Sequence, residues 1–303
     1  MKKQNKIISE PAPILLFVHK RIATLKKVIK SLKKNDKFYR QELFIFSDGP
    51  KNESEKVQIK KLRQYLHKIK GFKKIKIFIR KKNIGLASNI IKGVSKIIKI
   101  KKRVIVIEDD LILSQNFLQY MNTTLEKYKD KKKIWHISGW NWNFKFPNYK
   151  YDFFFTRYAT CWGWATWTDR WKYFEKNPKK LIKSFTENKI KEFNLDNSYD
   201  FWSQVVRNEK KTIDTWAIFW YSTIFTKRGL SINPINPLVI NIGNDSFSTN
   251  LNGSITKSKK TFNNYAPKKY PKVINEDKFL LKIIKSKLKP NFLEKVFNKI
   301  FKY

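Results

Sequence analysis

The chain reads as an α/β domain built on a mostly parallel central sheet with helices on both faces. Three observations carry that reading. Short apolar runs such as Ile14–Val18 and the β-branched Val104–Ile107 lack the in/out alternation of a half-exposed strand, as expected of strands buried on both faces of a parallel sheet. Between them, apolar residues recur at helical spacing. The two kinds of segment alternate from Ile14 to Ile107, an order that implies right-handed crossovers between parallel strands.

In order, Pro13 precedes the strand Ile14–Val18, which runs into His19-Lys20-Arg21. Ile22, Leu25, Val28, Ile29 and Leu32 mark a first helix. Leu43–Phe46 is a second strand ending in the turn former Ser47-Asp48-Gly49-Pro50. Leu62, Tyr65, Leu66 and Ile69 outline a second helix, and Ile75, Ile77 and Ile79 alternate as a third strand. Asn83-Ile84-Gly85-Leu86 leads into a helix carrying Ile90, Ile91, Val94, Ile97 and Ile98, and Val104–Ile107 completes the series.

Composition narrows the function. At 303 residues the chain is long enough for a substantial core. Lys and Arg number 66 against 24 Asp and Glu, yet only nine are arginine. A lysine bias accompanied by abundant Ile and Asn fits general composition better than a nucleic-acid surface, where bidentate arginine is the preferred reader. No specific nucleic-acid partner is therefore expected, although such a surface attracts anionic headgroups. Cys161 is the only cysteine, which excludes an intrachain disulfide and a cysteine-based zinc site. The early apolar run Ile14–Val18 is too short for a signal peptide, and no run reaches the length of a membrane span. A cytoplasmic protein is the expectation.

The chemistry gathers at strand ends. Glu108, Asp109 and Asp110 stand between two apolar runs in a chain poor in acids. Open parallel sheets bind ligands beyond the carboxyl ends of their strands, where hard oxygens suit a divalent cation and attached phosphates. An acidic turn or a helix cap is the plainer alternative. His19, Arg21, Asp48 and Asn83 follow the other strands and converge on the same edge, making a nucleotide pocket. Taken singly, Arg21 is also a solvated helix start and Asp48 a turn former. The absence of G-x-G-x-x-G and of G-x-x-x-x-G-K-[ST] disfavours a dinucleotide-binding dehydrogenase or a P-loop enzyme.

Ser114 is placed to cap a helix bearing Phe117, Met121, Leu125 and Tyr128. The strand Ile134–Ser138 leads to Gly139-Trp140-Asn141-Trp142, then to Phe153–Phe155 and Cys161-Trp162-Gly163-Trp164-Ala165-Thr166-Trp167. These rings suit a sugar face or a core equally, and Gly163 signals a close approach to ligand or strand. Residues 175–211 are lysine-rich, with helices expected over an acceptor side. Asp214 sits inside the apolar, aromatic run Ile213–Tyr221, where a carboxylate needs a specific role or a specific partner. The Gly/Asn/Ser stretch Gly243–Thr249 is a loop able to cover a nucleotide. Beyond residue 250, two basic amphipathic segments flank Pro290: Phe279, Leu280, Ile283, Ile284 and Leu288 in the first, Phe292, Val296, Phe297, Ile300 and Phe301 in the second. Both fit an interfacial membrane helix, with packing on the domain as the alternative.

The run V-I-V-I-E-D-D-L-I-L-S-Q-N-F-L-Q-Y, with I-S-G-W-N at Ile137–Asn141, C-W-G-W at Cys161–Trp164, D-T-W at Asp214–Trp216 and Asn233-Pro234 nine residues ahead of Gly243, resembles the inverting N-acetylglucosaminyltransferases of the β-1,2-GlcNAc-transferase I type. The resemblance spans roughly Pro13 to Thr249. It implies a GT-A glycosyltransferase domain over residues 11–250, with a nucleotide-sugar half at 11–110 and an acceptor half at 111–250, followed by a basic linker and helical tail at 251–303. It also implies a UDP-sugar donor and Mn²⁺ or Mg²⁺. Asp110 becomes the direct metal ligand, Glu108 and Asp109 lie near ribose and sugar, and His19, Arg21 and Asp48 match uracil and phosphate contacts. The family's base lies in an acid-acid-Trp motif of which D-T-W keeps the first acid, so the base is Asp214 or else Asp200 in Y-D-F-W. The expected acceptor is a glycan or lipid-linked glycan for a cell surface, with the tail on an anionic inner membrane face. A nucleotidyltransferase on a similar sheet and a basic nucleic-acid-binding protein are the rival readings.

Overall fold

The computed structural model describes residues 10–142, 144–243, 262 and 265–289. The expected alternating series is present as β1 (Ile14–Val18), α1 (Ile22–Lys33), β2 (Glu42–Ser47), α2 (Glu53–Leu66), β3 (Lys74–Ile79), α3 (Leu86–Lys101) and β4 (Arg103–Glu108). Then come β5 (Leu111–Leu113), α4 (Phe117–Tyr128), β6 (Ile134–Ser138), β7 (Phe153–Thr156), β8 (Trp164–Trp167), α5 (Thr168–Trp171), α6 (Pro178–Ser184), α7 (Glu187–Phe193), α8 (Trp202–Glu209), α9 (Ala217–Thr226), β9 (Leu230–Pro234), β10 (Val239–Asn241) and α10 (Lys278–Leu288).

The main sheet runs β3-β2-β1-β4-β8-β6-β9-β7. Its first four strands are parallel. Successive residues of β1 feed opposite faces: Ile14, Leu16 and Val18 pack with Leu25 of α1 and Leu62 of α2, while Leu15 and Phe17 pack with Ile90 and Val94 of α3. Cover on both faces is the physical reason β1 is apolar throughout, whereas the edge strand β3 alternates lysine with isoleucine and stays half-exposed. Beyond β4 the pattern changes. β8 inserts antiparallel between β4 and β6, β9 is parallel to β6, and β7 is antiparallel to β9. A small antiparallel ribbon of β5 and β10 sits beside the acidic triplet.

One local expectation is corrected. The residue at the N-cap position of α4 is Asn116, not Ser114; Ser114 instead ties its N–H to Leu238 O at 2.9 Å. Gly163, with φ +61°, makes the close approach to a neighbouring strand end that is one of the two readings its sequence allows: its carbonyl accepts Gly139 N–H at 2.6 Å. Most of the tryptophans are core. Trp164 is 1% exposed, stacks on Trp216 at 5.1 Å and packs near Trp171 and Trp220.

The stretch after residue 264 is part of the domain. Tyr270 stacks on Phe153 at 4.3 Å and its hydroxyl meets Thr124 at 2.8 Å. Asp152 accepts the amides of Lys268 and Lys269, Arg157 grips Glu276 through Nε at 2.9 and 3.0 Å, and Asp277 caps α10. The apolar face of α10 that the sequence offers to a membrane is covered: Leu280, Leu281, Ile284 and Leu288 are buried in the core, and only its Phe279 stands exposed. For this helix, packing on the domain is what the structure shows. The second amphipathic segment and the loop after Gly243 lie outside the described residues. No helix among the described residues is long and apolar enough to cross a membrane.

Candidate active site

Parallel register brings the polar strand ends together. Phe17 pairs with Glu108 and Val18 with Ser47, so His19, Arg21, Asp48 and the acidic triplet follow at one edge. A cleft of about 610 Å³ opens there, a size suited to a small-molecule ligand. Part of its wall is Arg21, Glu108, Asp110, Asn241 and Gly243, from the strand ends and the ribbon; another part is Trp162, Tyr199, Asp200, Arg207 and Asp214, from later segments. Of the residues singled out in the sequence, Arg21, Glu108, Asp110, Asp200 and Asp214 line this cleft.

The others build its support. Asp109 accepts His19 N–H at 3.1 Å and Arg21 Nη2 at 3.1 Å, and the same guanidinium reaches Asp110 Oδ2 at 2.9 Å. Asp48 Oδ1 accepts Gly49 N–H at 2.8 Å and Ile84 N–H at 3.1 Å, closing the β2 turn onto the segment before α3. Asn83 Nδ2 donates to Gly49 O at 2.9 Å and lies 3.3 Å from His19 Nε2, which also faces Glu55 at 3.3 Å. Gly243 covers Asp110: a β-carbon there would collide with the Asp110 carboxylate and Arg21. The ribbon fixes this lid, since Ile242 N–H donates to Asp110 O at 2.8 Å.

Crowded carboxylates repel. Burial first, then Asp110 and Asp109, push Glu108 up to about 8, with Arg21 opposing. Burial pushes Asp109 up to about 6 although Arg21 pulls the other way. Burial and the nearby Glu108 also raise the Cys161 thiol. A folded pKa above the unfolded glutamate value of 4.5 means that the native state holds the extra proton. The contribution to stability is then complete below about 4.5 and is lost as pH rises toward about 8. Glu108→Gln is therefore expected to unfold at higher urea than the wild type at pH 8 and to lose that advantage near pH 4.5. Equal midpoints at both pH values would contradict the repulsion.

Asp214 has the specific partner that its setting in the sequence calls for, though it is not buried. Its apolar neighbours Trp216, Ile218 and Phe219 turn into the core, while its own side chain is 60% exposed to the cleft and pairs with Lys176. A clamp holds this segment. Asn208 of α8 donates to Thr215 Oγ1 at 2.8 Å and accepts Thr215 N–H at 3.0 Å. Asp200 is occupied differently: its Oδ1 accepts Ser203 N–H at 3.0 Å at the start of α8. Lys176, Asn208 and Arg207 escaped the sequence reading, because nothing in their local pattern separates them from other polar residues on helices and loops.

Residues 14–190 match the glycosyl transferase family 2, more than half of the chain. The chain belongs to that family. The match contains His19, Arg21, Asp48, Asn83, Glu108, Asp109, Asp110 and Lys176, and ends before Asp200 and Asp214. The GT-A fold and glycosyltransferase activity expected from the sequence agree with this membership. Among solved structures, S. aureus TarS is similar at 12% identity and a TM-score of 0.28, over 39% of this chain and 20% of that chain. The family 2 chain thus spans about a fifth of TarS. No curated protein matches it.

Proposed function

We propose that this family 2 glycosyltransferase moves a sugar, with N-acetylglucosamine the foremost candidate, from a UDP-sugar to a hydroxyl of a glycan or lipid-linked glycan, with inversion at the anomeric carbon. The observation that carries the reading is one cleft lined both by Arg21, Glu108 and Asp110 and by Asp214. Arg21 meets the phosphates, and Asp214 takes the proton of the acceptor hydroxyl as that oxygen attacks the sugar from the side opposite the leaving nucleotide.

A divalent cation fits the strand-end part of the wall. Glu108, Asp109 and Asp110 supply hard oxygens, in a setting where burial first and mutual repulsion second raise Glu108 and Asp109. Among the described residues no group of three or more His, Cys, Asp or Glu is arranged to hold a metal ion, so Mn²⁺ or Mg²⁺ would be held by Asp110 together with the donor's diphosphate. Bound there, the cation would stabilise charge on the departing nucleotide. Glu108 and Asp109 orient Arg21 and the ribose side of the donor. The lysine-rich surface and the segment after Pro290 favour an anionic membrane face, where assembly of a cell-surface polysaccharide would take place.

The test is a thermal-stability screen of nucleotide-sugars with and without Mn²⁺. Binding to the native state and not the unfolded one raises stability, by about 2.7 kcal/mol at a hundredfold excess over Kd, and the melting point rises with it. One UDP-sugar is expected to stabilise the protein only when Mn²⁺ is present. Stabilisation by nucleoside triphosphates in preference to every nucleotide-sugar would favour the nucleotidyltransferase reading instead.

A further inference from the structure

Asp214 does not stand alone in the cleft wall. Its Oδ1 pairs with Lys176 Nζ, and its Oδ2 faces the amino end of α3, where a β-carbon on Gly85 would lie 3.6 Å away. Both partners of the pair are held in advance. On the lysine side, Phe174 stacks on Trp171 at 4.5 Å and Asn177 caps α6 by accepting Lys180 N–H at 3.0 Å, so Lys176 projects from a short link pinned at both ends. Its ammonium also sits 5.7 Å from the Phe219 ring centroid. The neighbouring acid, Glu175, is engaged by Lys180 at 2.6 Å and does not compete. On the aspartate side, Thr215 is clamped by Asn208 and Trp216 stacks on Trp164.

We infer that Lys176 is a positioning residue that holds the Asp214 carboxylate turned into the cleft. The inference rests on the reading of Asp214 as the base. An ion pair this exposed adds little to stability, so two anchored segments meeting at it are better explained by orientation of a reacting group, where small misplacements cost rate.

The experiment uses the full chain with Mn²⁺ and a panel of UDP-sugars including UDP-N-acetylglucosamine, and monitors nucleotide release with water as acceptor. Wild type, Lys176→Met, Lys176→Arg and Asp214→Asn are compared for kcat, donor KM and melting point. Lys176→Met is expected to lower kcat by roughly tenfold and to leave the donor KM unchanged. Its melting point should stay within roughly 2 °C of wild type. Lys176→Arg, which keeps the charge, should restore most of the lost rate. A wild-type rate in Lys176→Met beside an inactive Asp214→Asn would overturn the role of the lysine and leave the base in place. Wild-type release by Asp214→Asn would instead overturn the base, and the lysine role with it. A loss of rate that tracks a fall in melting point would make Lys176 merely structural and also overturn the inference.

Discussion

Asp110→Ala is expected to abolish sugar transfer, by about a thousandfold or more, while the protein remains folded. An electrostatic stabiliser aimed at developing charge is commonly worth about two to three orders of magnitude on its own, and loss of the proposed direct metal ligand removes the cation's contribution as well. Folding should survive for a specific reason. Asp110 sits in a cluster where like charge already pushes Glu108 up to about 8, so deleting one carboxylate relieves repulsion, and the Arg21 guanidinium keeps Asp109 at 3.1 Å. Circular dichroism should be unchanged and the Mn²⁺-dependent thermal shift lost. Near-normal, Mn²⁺-dependent turnover in this variant would remove Asp110 from the metal site.

The second large effect separates the two acids that later segments bring to the cleft. Asp214→Asn is expected to lower turnover by roughly 10²–10⁴-fold, the usual worth of a general base, with donor-induced stabilisation preserved because the donor wall is untouched. Asp200→Asn should be nearly silent. The structure shows Asp200 accepting the Ser203 amide at the start of α8, and asparagine serves at such a cap about as well as aspartate. The reverse outcome, a silent Asp214→Asn and a damaged Asp200→Asn, would move the base to Asp200.

How far the sequence led depended on how local each interaction is. β1, β2 and β4 were legible because helices bury them on both faces, so the apolar runs declare themselves; the edge strand β3, half-exposed, shows instead as the alternation of Ile75, Ile77 and Ile79. β7 and β8 were not. Phe153–Thr156 and Trp164–Trp167 are aromatic runs whose rings serve a core or a ligand equally well, and the placement of β8 between β4 and β6 depends on pairings with Val104–Val106 and Ile137 that no local pattern reveals. The converging strand ends were read correctly as one edge, but not which of them open into the cleft. His19, Asp48, Asn83 and Asp109 are tied to backbone and to each other behind the wall. The need of Asp214 for a partner was legible, but its exposure was not, because Trp216, Ile218 and Phe219 of the same stretch turn into the core while its own side chain does not.

The burial of α10 decides where the chain can be cut. A truncation from residue 276 looks natural for asking whether the basic end holds the enzyme at a membrane. It would strip Leu280, Leu281, Ile284 and Leu288 from the interior, about 1.5–3 kcal/mol apiece, a sum that rivals the ~5–15 kcal/mol by which a whole domain resists unfolding. It would also leave the Arg157 guanidinium without Glu276. Such a fragment would collect in the pellet as an aggregate, and a fractionation experiment would mistake misfolding for lipid attachment. α10 is a buttress rather than an anchor. A stop codon placed after Lys289 keeps the buttress and removes only residues 290–303.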